Sequence, residues 1–177
     1  EVPVLLSASA VQLTFGLDDF ELPWFRYIRV HPEEYFANDP HAIRVLAGHV
    51  EENTITVAWN HFLKGICDNY DGVNVGLHEM AHALYYQHVI ASKKEPFIKE
   101  LSVVMEESEE IYELKNKYRV LYSDYAYKNL QEFWAESIEL FFEKPQALKT
   151  CYPDLYKTLC ELLNQDTLNK TNPLLTR

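Results

Sequence analysis

The apolar positions of this chain fall into one uncharged run, a few short alternating runs, and then several helical faces. From Pro3 to about Phe15 the run is uncharged and mostly apolar. Proline suits a first helical turn, so a buried helix is expected there, ended by Gly16 and the acidic 17–21 stretch. Trp24–Val30 is short, aromatic and β-branched and predicts a strand ending at Pro32. Ile43–Ala47 and Thr54–Trp59 flank the polar connection Gly48–Asn53 and predict an antiparallel pair. In Thr54–Trp59, Ile55, Val57 and Trp59 alternate with Thr54, Thr56 and Ala58, the period of a half-buried strand. After that the periodicity turns helical: turn chemistry at 69–72, then helices over about 73–89, 95–118, 129–144 and 153–164. A polar tail follows over 165–177. A helix, a small sheet and then helices is the order of an α+β fold, with a small, twisted, mainly antiparallel sheet packed against helices.

A chain of 177 residues with 47% hydrophobic positions has the size and apolar content of one domain with a true core, so 1–177 is read as a single domain. Sixteen basic against 27 acidic residues leave a net charge of −11, which excludes nucleic-acid binding by bulk electrostatics. Cys67, Cys151 and Cys160 are too few for a disulfide framework. They read as small buried hydrophobes in a reducing, cytoplasmic setting. The longest uncharged run, Val2–Leu17, is broken by polar residues, lacks the ~20 apolar residues of a membrane span and has no basic flank of a signal peptide. The chain begins at Glu1 without methionine. It is therefore read as a fragment or processed form, and a membrane anchor upstream stays open.

Chemistry enters at His78-Glu79-Met80-Ala81-His82, an HExxH motif inside an expected helix. Positions four apart on a helix lie nearly above one another, so both imidazoles can reach one Zn²⁺. Glu79, on the adjacent face, is near enough to act as a base toward water. The competing reading is two hydrogen-bonded histidines on a half-buried helix with a surface glutamate.

A catalytic site needs a third ligand. His88 extends the motif toward HExxHxxGxxH, but Tyr85 holds the position where glycine breaks the helix and returns the chain to the metal. On a continuing helix His88 lies about 120° off the ligand face. Downstream, Glu132 and Glu136 sit four apart near the start of a helix opened by Asn129. One carboxylate could bind metal while the other orients a ligand histidine. Equally, Asn129 with Glu132 has capping-box spacing, and Glu136 could be an ordinary surface residue. The residue pattern leaves these alternatives open.

The stretch Asp71-Gly72-Val73-Asn74-Val75-Gly76-Leu77-His78-Glu79-Met80-Ala81-His82 resembles the active-site helix of the Mlc titration factor A family of zinc peptidases. Asp124-Tyr125-Ala126, then Glu132-Phe133-Trp134-Ala135-Glu136 and Phe141-Phe142-Glu143-Lys144-Pro145, are similar to that family's second signature. Tyr152-Pro153-Asp154-Leu155-Tyr156 resembles its closing helix, and Val30-His31-Pro32-Glu33-Glu34-Tyr35 matches its layout upstream. The likeness spans nearly the whole chain. It implies a gluzincin-like catalytic core similar to the zinc domain of lethal factor.

Position by position, the resemblance implies His78, His82 and Glu132 as ligands of one Zn²⁺ per chain, Glu79 as general base and Glu136 as partner of a ligand histidine. It implies Tyr125 as a catalytic tyrosine, against the reading of one more core tyrosine. Tyr85 and Tyr86 depart from the family's more polar continuation after this helix, which bears on substrate preference. The expected activity is hydrolysis of a peptide or protein substrate, with the Thr54–Trp59 strand as an edge that pairs with it. The rival reading is a regulatory module that sequesters a transcriptional regulator, a role that an acidic surface would suit. A structural zinc site is a second rival and would need a fourth ligand such as Asp124 or Cys67.

Overall fold

The computed structural model describes residues 1–37, 44–115 and 121–169. The expected strand start at Ile43, the expected helix end at 116–118 and the tail residues 170–177 lie outside the described residues. Pro3 sits in the first turn of α1 (Val2–Thr14). Leu6, Ser9 and Leu13, spaced three and four apart, form its buried stripe, while Val4 and Val11 are exposed. The expected buried helix is thus buried along one face.

Among the described residues five short strands follow: β1 (Tyr27–His31), β2 (Tyr35–Ala37), β3 (Arg44–Leu46), β4 (Gly48–Glu51) and β5 (Thr54–Ala58). β1 runs parallel to β5, and β4 runs antiparallel on its other side, giving the order β1-β5-β4. β2 and β3 form a separate antiparallel pair. The expected partner of β5 therefore pairs elsewhere, and the expected polar connection is itself strand β4. Glycine and histidine at its start weaken the strand signal. The turn, however, consumes only Glu52 and Asn53, with Glu52 in the left-handed region at φ 49°.

β5 is consequently the central strand, not an edge. Ile55, Thr56, Val57 and Ala58 are all buried, so its two faces are covered and the half-buried reading gives way. β1 and β4 are the two edges of this sheet. Trp59, expected to end the strand, opens α2 (Trp59–Cys67) instead.

The helical part holds α3 (Val75–Tyr85), α4 (Glu95–Lys115), α5 (Leu130–Glu143), α6 (Pro145–Cys151) and α7 (Pro153–Leu163). Asn129 caps α5, its Oδ1 accepting from the backbone N–H of Gln131 and Glu132 at 2.9 and 3.0 Å. The core is built where α3 packs on α5: Leu77, Met80 and Leu84 are buried, as are Phe133, Ile138 and Phe141. Trp134, 1% exposed, donates its indole N–H to the Ala81 carbonyl at 2.8 Å and locks the two helices together. They run antiparallel, since Ala81 meets Trp134 whereas Asn74 meets Glu139 and Glu143. Gly76 allows close packing of α3 on α2, as a Cβ there would lie 2.6 Å from Phe62 Cε2.

Cys67 and Cys151 are exposed at the ends of α2 and α6, which corrects the buried-hydrophobe reading for both; Cys160 is partly buried. Among the described residues no helix is long and apolar enough to cross a membrane.

Candidate metal centre

Asn74 begins the site. Its side-chain Oδ1 accepts from Leu77 N–H at 3.1 Å and starts α3 at a fixed residue, one turn before His78. His78 and His82 then project from the same face, their ring centroids 4.8 Å apart. Glu132, in the first turn of α5, reaches both: its Oε2 lies 3.1 Å from His78 Nε2 and 3.3 Å from His82 Nε2. The donor atoms of these three residues all lie within 4.8 Å of one another, close enough to hold one metal ion. Among the described residues they form the one such cluster, and neither Asp124 nor Cys67 joins it.

The electrostatics of the cluster suit a cation. Burial alone would lower the His78 imidazole, but hydrogen bonds to Glu132 and Glu139 outweigh it and raise the group to about 10. Burial likewise opposes ionisation of Glu132, and hydrogen bonds with His78 and His82 still hold its carboxyl far below the usual range. A proton is drawn in between imidazole and carboxylate where a metal ion would serve both.

The other nitrogen of His78 also has a carboxylate partner, though not the expected one. Nδ1 lies 3.0 Å from Glu139 Oε2, whereas Glu136 accepts from Ser123 N–H at 3.0 Å and from the Ser123 hydroxyl. The expectation for Glu136 is corrected on helical geometry. From Glu132, four residues turn the helix ~40° one way, while seven residues turn it ~20° the other way, toward His78. Because α5 runs antiparallel to α3, Glu139 also comes level with the start of α3. Its Oε1 accepts from Asn74 N–H at 2.6 Å. Glu143 accepts from Asn74 Nδ2 at 2.8 Å, so the cap, the carboxylates and the ligand histidine form one connected set. The two-turn spacing of Glu132 and Glu139 makes Glu139 a candidate alongside Glu136, and the docking of α3 on α5 selects it.

Glu79 is 4% exposed, and its Oε2 is buried without a hydrogen-bond partner among the described residues. Burial raises its carboxyl to about 8; His78 opposes this, and Glu132 and Glu139 reinforce it. An acid group held near neutrality and aimed beside two imidazoles is placed for proton transfer. Tyr125 lies at the same site, its ring 6.4 Å from that of His78, with the Lys128 ammonium 3.9 Å over its face. Its backbone N–H donates to Ser123 Oγ at 3.0 Å, which links the tyrosine to Glu136.

His88 is not brought to the pair. After α3 the chain widens into a π-helical turn, Tyr86–Ala91, and His88 is buried against Phe97 with ring centroids 4.8 Å apart.

Two cavities flank the cluster. One, of about 600 Å³, opens at the N-terminal end of α3 and is lined in part by Val45, Val73, Val75, Leu121 and Leu140. The other, of about 250 Å³, lies at the opposite end beside Val50, Tyr85, Tyr86 and Gln131. Both reach Gly48, His78, Glu79 and Tyr125. The edge strand β4 forms one wall, steadied by Tyr35, whose hydroxyl pairs with His49 Nδ1 at 2.6 Å.

Among curated proteins no sequence matches this chain. Residues 1–163 match a family described as glucose-regulated metallo-peptidase M90, in line with the resemblance read from the motifs. With most of its 177 residues matched, the chain belongs to that metallopeptidase family.

Proposed function

We propose that the chain is a single-zinc peptidase, with the ion held by His78, His82 and Glu132 and with Glu79 as general base. The observation that carries this reading is the convergence of those three side chains within 4.8 Å, beside a buried carboxylate whose Oε2 has no hydrogen-bond partner among the described residues. Two imidazoles and a carboxylate are a donor set that zinc takes in catalytic sites, where three protein ligands leave a position open. When bound there, zinc supplies Lewis acidity, lowering the pKa of water to about 7 and polarising the scissile carbonyl.

The rest is the work of this chain's residues. Glu79 takes a proton from the attacking water at Oε2 and delivers it to the departing amine. Glu139 Oε2 accepts the Nδ1 proton of His78, which fixes the tautomer and leaves Nε2 facing Glu132. Tyr125 donates its phenol proton in a hydrogen bond to the developing oxyanion. β4, at an edge of its sheet, offers backbone groups to an extended substrate.

Metal analysis of the purified protein, with hydrolysis of a peptide library before and after chelation, tests the reading. One zinc per chain is expected, activity should vanish with the metal, and Glu79→Gln should retain zinc while losing hydrolysis. Hydrolysis that survives complete removal of metal would overturn it. Zinc content without hydrolysis of any peptide would favour the regulatory-binding role instead.

A further inference from the structure

We propose that Asn74 and Glu143 are positioning residues for the metal centre: joined through the Asn74 side-chain amide, they hold Glu139 against His78 and so set how tightly zinc is bound. This rests on the reading of His78, His82 and Glu132 as zinc ligands. It adds two residues, neither of which is a ligand.

Asn74 is 6% exposed and is bonded through each of its polar groups. Its Oδ1 accepts from Leu77 N–H at 3.1 Å, and its carbonyl accepts from His78 N–H at 2.9 Å. Its backbone N–H donates to Glu139 Oε1 at 2.6 Å. Its Nδ2 donates to Glu143 Oε1 at 2.8 Å and reaches the Gly65 carbonyl at 3.4 Å. Gly65 makes room for this approach, since a Cβ there would stand 2.9 Å from Asn74 Cα. One residue thus ties α2, the first turn of α3 and two carboxylates of α5.

Capping a helix needs only the side-chain oxygen, which serine or aspartate supplies as well. The amide nitrogen adds a donor, and that donor is spent on Glu143, itself 6% exposed. Glu143 Oε2 is buried with no hydrogen-bond partner among the described residues, so the amide is the side-chain hydrogen bond that fixes this carboxylate. Glu139 in turn is held at both oxygens, Oε1 by Asn74 N–H and Oε2 by His78 Nδ1 at 3.0 Å. Its aim at His78 therefore follows the Asn74 backbone, and the Asn74 backbone is anchored on Glu143.

The test reverses the Asn74–Glu143 hydrogen bond and reads zinc Kd by competition with a chelator, beside thermal unfolding of the metal-free protein. Asn74→Asp keeps the cap oxygen but turns a carboxylate on Glu143, and Kd should rise about tenfold, as when the partner of a ligand histidine is disturbed. An added negative charge acting at a distance would tighten zinc binding instead, so the sign separates positioning from bulk electrostatics. Glu143→Gln leaves the amide an acceptor and should change Kd little. In the double variant the new glutamine amide donates to the new aspartate, and Kd should return close to the wild-type value. Asn74→Ser, which keeps a cap oxygen and removes the amide donor, gives a second variant with the same expected loss. Kd unchanged or tighter in Asn74→Asp and Asn74→Ser, whatever their thermal stability, would confine the pair to holding the helix and overturn the proposal. A double variant as weak as Asn74→Asp alone would overturn it too. A wild-type protein that binds no zinc would remove the reading beneath it.

Discussion

Gly48 at the start of β4 lies directly against Glu79: a Cβ built on this glycine would stand 2.6 Å from the Glu79 Cγ and 2.7 Å from its Cδ. The edge strand passes so close to the proposed base that no side chain fits between them. Glu79 is 4% exposed, so it has little room to give way.

Gly48→Ala should therefore displace the carboxylate without touching His78, His82 or Glu132. Misplacing a reacting group by about 1 Å can cost on the order of 10² in rate. The expected outcome is wild-type zinc content with kcat lowered about a hundredfold, read by metal analysis beside steady-state kinetics. Normal turnover in this variant would mean that the strand, or the base, has more freedom than the contact allows.

Glu139 and Glu136 make a sharper comparison because they lie three residues apart on α5. Glu139→Gln weakens the acceptor of the His78 N–H, and loss of such a partner typically costs about 10–100-fold in metal affinity. Glu136→Gln should leave affinity unchanged, since its carboxylate holds Ser123 and, through it, the segment that carries Tyr125. Titration against a competing chelator separates the two. Equal effects would return the pair to a shared, nonspecific role.

The contrast also shows what was legible in the sequence. His78 and His82 could be paired because both sit on one helix, where spacing alone sets the face. Joining Glu132 to them needed the antiparallel docking of α3 on α5, which no local pattern encodes; only resemblance supplied it. Glu136 was misassigned for the same reason, since i+4 and i+7 both share a face with Glu132 and tertiary docking decides between them. In the sheet, the parallel β1–β5 pairing brings together residues about 27 positions apart and leaves no turn signal. Helices α1, α5 and α7, by contrast, announce themselves through Pro3, Asn129 and Pro153, whereas α2 and α6 were not expected.

Tyr125 is 42% exposed, with its ring beside His78 and beneath the Lys128 ammonium. A core tyrosine would be buried, so this position favours a role at the cleft. Tyr125→Phe removes one hydrogen-bond donor and little surface. Turnover should fall roughly 10²–10³-fold if the phenol stabilises the oxyanion, with zinc content and thermal stability unchanged. A change in KM alone would reassign the ring to substrate packing.

His88 sets a pH dependence of stability rather than of catalysis. It is 2% exposed, and neither ring nitrogen has a hydrogen-bond partner among the described residues. Burial lowers its pKa from the usual 6.5, nearby Lys94 lowers it further, and Asp19, paired with Lys94 at 2.6 Å, partly opposes this. The unfolded chain thus takes up this proton at a higher pH than the folded protein does. The stability that depends on neutral His88 is complete above about pH 6.5 and is lost as pH falls toward the lowered folded value, by up to ~1.4 kcal/mol per pH unit. His88→Phe keeps a ring against Phe97 and removes the titration. Urea unfolding at pH 5, 6 and 7 should show a smaller decline for the variant than for the wild type, with zinc content equal at pH 7. An identical decline in both would assign the acid sensitivity to other groups.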